Sequence, residues 1–369
     1  MAENNQPTGN ALQLDKHMKV ETGGVVGKEW HSPLESPFRV SGLAWWDLEY
    51  QYRRLPVNPN EEIPSAVDDL ANCTAGGQIR FQTDSPSVAV RMRLKAKTGM
   101  YHMPATGEGG VDAYIGEAGA LLYAGTARFL PSQQEYESEL FAGESGGLRQ
   151  FTLNLPLYQG VEAVWIGLEP GARILPPKAY ESEKRIVLYG TSIGQGGCAS
   201  RPGMAYTNIL SRRINYEFIN LGFSGNGKGE PELARLISQI EDPALLVLDY
   251  EGNCGSTESY RQTLPEFIRI LREAHPAAPV LVISRIPYGL EPLKPELLRS
   301  RLERLTFQRE HVQQLQEQGD RRLFFFDGST LLGADPAEAT VDGVHPTDMG
   351  FLRMADGLEP VLRGILADS

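Results

Sequence analysis

The chain has 369 residues, 41% hydrophobic and 22% charged, the balance of an ordinary globular protein and too long for one typical core. Its formal net charge of -12 repels phosphate backbones and excludes nucleic acid as an expected partner. No stretch is apolar for long enough to span a bilayer, so no membrane partner is expected either.

The first 35 residues are polar and irregular and open without a basic, then apolar, leader, which predicts a cytoplasmic protein. From residue 36 to 172 the grammar is that of short strands. Gln78–Thr83 alternates polar and apolar residues, and Ser87–Leu94 largely repeats the pattern. Segments 112–115, 120–124, 137–141, 150–155 and 161–168 follow, punctuated by Gly, Pro, Ser and Asn. No helical period stands out here, and an antiparallel, all-β sandwich of jelly-roll type is predicted. Residues 173–184 contain Pro176-Pro177 and read as a stiff linker.

Beyond the linker, residues 185–369 alternate apolar strands with helices. Strands are predicted at 185–189, 217–221, 244–249, 280–284 and 323–326, and helices over 203–213, from Pro231, from Ser256 to 274, over 294–318 and from Pro346. Such alternation predicts an α/β domain with a mostly parallel sheet covered on both faces.

Functional residues of such sheets collect at the C-terminal ends of the strands. Ser192 follows the first strand, Gly222 the second, Asn253 the third, and Asp342 and His345 the fifth. Each type has a task in acyl transfer. A Ser needs a base to become nucleophilic. An Asp three residues before a His can accept from one ring nitrogen and turn the other toward the Ser hydroxyl. Gly222 lets a backbone N–H approach a developing oxyanion closely, and the Asn253 amide provides another donor. Gly190-Thr-Ser-Ile-Gly194 also fits a G-x-S-x-G nucleophile elbow. An α/β-hydrolase is nevertheless rejected, because Ser192 follows the opening strand and the acid and base share one loop.

With these residues in place, 185–366 resembles an SGNH (GDSL-type) hydrolase. Gly190-Thr-Ser192, Gly222, Gly252-Asn253 and Asp342-Gly-Val-His345 match its blocks. The resemblance implies a flavodoxin-like sheet, Ser192 as nucleophile, His345 as base and Asp342 as its orienting acid. It also implies an oxyanion hole of Ser192, Gly222 and Asn253. Thr191 and Cys254 stand where the family has Asp. A sandwich before such a domain resembles bacterial carbohydrate esterases that deacetylate sugars or xylo-oligosaccharides.

Tyr189, Ile193, Phe223 and Tyr250 are candidates to line a small acyl pocket, and Gln195 and Arg201 to bond a sugar hydroxyl or carboxylate; ordinary packing and an ordinary salt bridge are the competing readings. Trp45, Trp46 and Trp165 offer faces for sugar rings or fill the core. His102 is placed to reach the mouth of the site if the domains pack closely. No cofactor or metal is expected. His275 and His311 lack ligand spacing and read as surface residues, and Cys73, Cys198 and Cys254 read as reduced thiols without a Cys-x-x-Cys pair. The expected substrate is a small acyl ester or acetylated oligosaccharide, and a dimer or larger oligomer is compatible with the exposed strands. The alternatives are a generalist short-chain esterase, arylesterase or thioesterase and, from another class, a carbohydrate-binding protein without catalysis.

Overall fold

In the computed structural model, residues 24–144 and 146–368 are described, together with Asp15 and Val20, so most of the irregular N-terminal segment lies outside the described residues. Among the described residues the sandwich contains ten strands: β1 (Glu29–His31), β2 (Arg39–Ser41), β3 (Gln78–Thr83), β4 (Ser87–Leu94), β5 (Asp112–Ile115), β6 (Leu122–Thr126), β7 (Glu135–Ala142), β8 (Arg149–Asn154), β9 (Val161–Leu168) and β10 (Ile174–Leu175). One sheet has the order β1-β9-β4-β7; the other runs β10-β3-β8-β5-β6, with β2 also on β3. All these pairings are antiparallel. The chain crosses repeatedly between the two antiparallel sheets. Ile79, Phe81, Val88, Val90, Met92, Phe151, Leu153 and Ile166 from the facing strands fill the layer between them with no exposure.

Both edges of this domain extend past the expected boundaries. β1 lies before residue 36 and pairs with β9, and β10 falls inside the expected linker and pairs with β3. Each is too short to show a period; a neighbouring strand edge supplies its partners. The expected absence of helices is also corrected, since Trp46–Glu49, Ser65–Leu70 and Ala105–Glu108 are helical. These helices of four to six residues are too short for a hydrophobic stripe.

The segment between β2 and β3 leaves the sandwich altogether. Trp45, Leu55, Val67 and Ala71 enter the same core as Val187, Ile219, Leu221 and Leu246 of the second domain. Arg54, 1% exposed, is the stitch. Its guanidinium donates to Cys73 O and Leu70 O at 2.8 Å each, to Asn220 O at 3.3 Å, and to Gly222 O. Desolvation lowers its pKa to about 10, which leaves it charged at neutral pH.

The second domain is built on β11 (Arg185–Gly190), β12 (Glu217–Gly222), β13 (Leu245–Asp249), β14 (Val280–Ile283) and β15 (Leu323–Phe326). They pair in parallel in the order β12-β11-β13-β14-β15. That is the flavodoxin-like order, with its topological switch point between β11 and β13. β13 is buried at every position, as a strand covered on both faces must be. The helix Thr257–Ala274 shows how the covering works. Ser256 caps it by accepting from Ser259 N at 3.0 Å, and Tyr260, Leu264, Phe267 and Leu271 form the buried stripe.

Candidate active site

Ser192 opens the short helix Ser192–Gln195 directly after β11, and is 8% exposed. Thr191 caps that helix by accepting from Ile193 N at 3.2 Å, which accounts locally for a Thr where the family carries Asp. Ser192 therefore holds its hydroxyl and its backbone amide together at the switch point.

Asp342 and His345 lie on a turn closed by Val341 N donating to His345 O at 2.8 Å. Gly343 sits inside it at φ 84°, a conformation that favours glycine. Asp342 Oδ1 accepts from Val344 N at 3.0 Å and His345 N at 2.8 Å, while its Oδ2 lies 2.7 Å from His345 Nδ1. Burial pushes the Asp342 carboxyl up, but these hydrogen bonds outweigh it and hold the group below its ordinary value. With a carboxylate at Nδ1, the proton resides there and Nε2 is left as an acceptor. His345 Nε2 is 2.9 Å from Ser192 Oγ. The three predicted residues thus form one hydrogen-bonded chain able to raise the nucleophilicity of a hydroxyl.

The oxyanion donors need one correction. Gly222 is the last residue of β12, and its N–H donates to Asn220 Oδ1 at 2.9 Å, so it is already engaged. In the loop that follows, Phe223 N bonds Gly190 O at 3.0 Å, and Asn226 N and Gly227 N bond Phe223 O at 3.0 and 3.1 Å. Ser224 N bonds Gln195 Oε1 at 3.0 Å. Among these amides, Gly225 N–H alone has no protein acceptor, and Gly225 sits exposed at φ 67°. Asn253 flanks the same loop, its Nδ2 reaching Phe223 O at 3.0 Å. Ser-Gly-Asn just past the strand was the sequence signal for Gly225.

The proposed substrate residues are corrected more broadly. Tyr189, Phe223 and Tyr250 are at most 1% exposed and belong to the core on the far side of the sheet. The Tyr189 hydroxyl donates to Glu230 Oε2 at 2.6 Å, and the Arg54 guanidinium covers the Phe223 ring at 4.7 Å. Ile193 packs into the opposite core with Leu157, Leu188 and Met103. Gln195, fully buried, donates to Leu157 O at 3.1 Å and so ties the nucleophile's helix to the sandwich. Arg201 Nη1 lies 2.6 Å from Asp112 Oδ2, the salt bridge of the competing reading. Trp45 and Trp46 are buried, and Trp165 is half-buried beneath Arg91 and Arg93. His275 and His311 are half-buried rather than on the surface.

Other residues stand around Ser192 instead. Tyr158, from the sandwich, donates its hydroxyl to Ser192 O at 3.2 Å. His102, also from the sandwich, presents its ring edge-to-face to His345 at 5.8 Å between centroids, and Tyr101 stacks on it at 4.5 Å. The expectation that His102 reaches the mouth therefore holds. Cys198 lies beside both histidines, with one ligand-type atom of each of the three within 4.8 Å of the others. Behind Asn253, Glu251 is buried and accepts from Arg285 N and Gln308 Nε2 at 2.8 Å each, fixing the turn that carries the amide. Burial pushes the Glu251 carboxyl up. Cys73, Cys198 and Cys254 are buried free thiols, as expected.

Residues 183–363 match the GDSL-like lipase/acylhydrolase family, and residues 28–174 match the N-terminal domain of SGNH-hydrolase-type esterases. A solved structure from Bacteroides ovatus, described as a GDSL-like lipase, is 30% identical with a TM-score of 0.84, covering 92% of this chain and 98% of its own. The chain belongs to the GDSL-like lipase/acylhydrolase family of SGNH esterases. Its fold is shared by a salicylyl-acyltransferase from a tetracycline biosynthetic pathway, 20% identical with a TM-score of 0.70 over 93% of this chain and 99% of that one. A family two carbohydrate esterase from Cellvibrio japonicus, 17% identical, has a TM-score of 0.56 over 92% of this chain and 98% of its own. No curated protein matches this SGNH esterase significantly. Among its described residues, no helix is long and apolar enough to cross a membrane.

Proposed function

We propose that this SGNH esterase removes short acyl groups, acetyl first, from sugar hydroxyls through an acyl-enzyme on Ser192. The observation that carries the reading is the chain Ser192 Oγ–His345 Nε2 at 2.9 Å and His345 Nδ1–Asp342 Oδ2 at 2.7 Å. Ser192 attacks the ester carbonyl while His345 takes its proton. The oxyanion is held by Ser192 N–H, Gly225 N–H and the free hydrogen of the Asn253 amide. His345 then protonates the leaving alkoxide and activates the water that releases the acid. None of these steps calls for a metal. The sugar is supported by the whole-chain likeness to a carbohydrate esterase, and by an exposed Tyr101 stacked on His102 at the mouth.

The test is acetate release from peracetylated xylose and acetylated xylo-oligosaccharide, beside p-nitrophenyl acetate, with Ser192→Ala as control. Release that favours the sugars and falls by about 10⁴-fold or more in the variant is expected. Turnover of the aryl ester alone keeps the triad and discards the sugar. Near wild-type rates in Ser192→Ala would overturn the mechanism itself.

A further inference from the structure

Two groups beside the triad, Cys198 and His102, take no part in its proton relay. Cys198 is 4% exposed and adopts φ 72°, on the loop that follows the nucleophile's helix. That loop is held from both sides. Thr106 Oγ1 donates to Ser200 O at 2.6 Å from the sandwich, and Asp348 Oδ1 accepts from Ser200 N at 2.8 Å from the C-terminal helix. His102 arrives on a separate sandwich loop, and its buried Nδ1 has no hydrogen-bond partner in the protein. Such an orphaned buried group is costly unless something satisfies it.

We propose that His102, Cys198 and His345 form a reversible inhibitory site for a borderline-soft divalent cation of the zinc type, which captures Nε2 of the base and switches the enzyme off. The proposal rests on His345 being that base. Two imidazoles and a thiolate are the donor set that zinc selects, with a fourth position left to solvent. One possible donor atom of each of the three residues lies within 4.8 Å of the others. Bonds of about 2.0–2.3 Å at tetrahedral angles hold such atoms roughly 3.3–3.6 Å apart, so closure by about 1 Å completes the site. Nδ1 of His345 is held by Asp342, which fixes Nε2 as the donor and is the carboxylate–histidine–metal arrangement.

On binding, the Cys198 S–H bond breaks, its proton passes to solvent, a metal–sulfur bond forms and water leaves the ion; nothing is oxidised or reduced. The thiolate and the Asp342 carboxylate then balance the two positive charges. Ser192 Oγ meanwhile loses the acceptor that activates it.

The experiment pairs Co²⁺ titration, read by thiolate-to-metal charge-transfer absorption, with ZnCl₂ inhibition of p-nitrophenyl acetate hydrolysis. One equivalent of cobalt is expected to saturate the band in the wild type, with no band in Cys198→Ser. Zinc is expected to inhibit reversibly, with EDTA restoring the rate. Cys198→Ser should keep metal-free turnover and need at least about tenfold more zinc for half inhibition. Absence of the cobalt band in the wild type, or equal zinc sensitivity in Cys198→Ser, overturns the proposal. The cobalt arm needs no turnover, so an inactive protein that still shows the band would sink the esterase reading and leave the metal site standing.

Discussion

Asp342 and His345 share one short turn whose defining hydrogen bonds are internal to it, whereas the wall beside Ser192 comes from residues far away in the chain. Tyr158 lies 34 positions before the nucleophile whose carbonyl it bonds, and His102 belongs to the other domain. The reacting side is therefore a local device that needs only the end of a parallel sheet beneath it. The wall exists only because the sandwich is clamped onto the hydrolase domain by Arg54, Gln195 and Arg201. The triad and the wall beside it are thus held by separable sets of contacts.

The clamp is the place to break that separation. Arg54→Met strands the four carbonyls that the guanidinium serves, and is expected to cost about 4 kcal/mol of stability in urea unfolding. An unchanged midpoint would mean that the segment between β2 and β3 docks without it. On the reacting side, Asn253→Ala removes the donor we propose for the oxyanion and should lower kcat about 10²–10³-fold with little change in KM. A loss confined to KM would place Asn253 in substrate binding.

Asp249, at the end of β13, sharpens the contrast by pH. Burial raises its carboxyl to about 7; the Tyr206 hydroxyl at 2.7 Å pulls it down and the charge of Glu251 adds to the rise. Below the ordinary value of 3.8 both folded and unfolded states are protonated and no penalty exists. Between there and about 7 the unfolded state ionises while the folded state resists, so stability is lost as pH rises. Asp249→Asn keeps an acceptor for Tyr206, and is expected to gain roughly 2 kcal/mol over the wild type at alkaline pH and nothing at strongly acid pH. A gain independent of pH would assign the effect to packing. The smallest effect is expected at Gly197, where both sides of the site meet. A Cβ there would lie 2.8 Å from the Tyr158 hydroxyl and 3.2 Å from His345 Cδ2. Gly197→Ala should lower kcat about tenfold at nearly unchanged stability; a wild-type rate would show that the Tyr158 wall yields freely.

The amino-acid sequence by itself determined the alternating elements of the second domain and the three residues of the hydrogen-bonded chain. Short apolar runs such as Leu245–Asp249, bounded by turn residues, read as strands buried on both faces, and Asp342-Gly-Val-His345 closes its own turn because a carboxylate three residues back reaches both the amide and the ring. It also carried the order of those groups along the strands, and hence their meeting at the switch point. Closeness in sequence to Ser192 or Asn253 misled about the pocket: Tyr189 and Tyr250 point into a core, because a parallel sheet has no solvent face to offer them. Gly222 likewise matched a motif, while its amide was claimed by Asn220 two residues back. The tertiary structure alone decided which face of the sandwich meets the site, and so brought Tyr158, His102 and Cys198 together. Those contacts join segments with no local pattern in common, and their geometry is set by how two cores pack against each other.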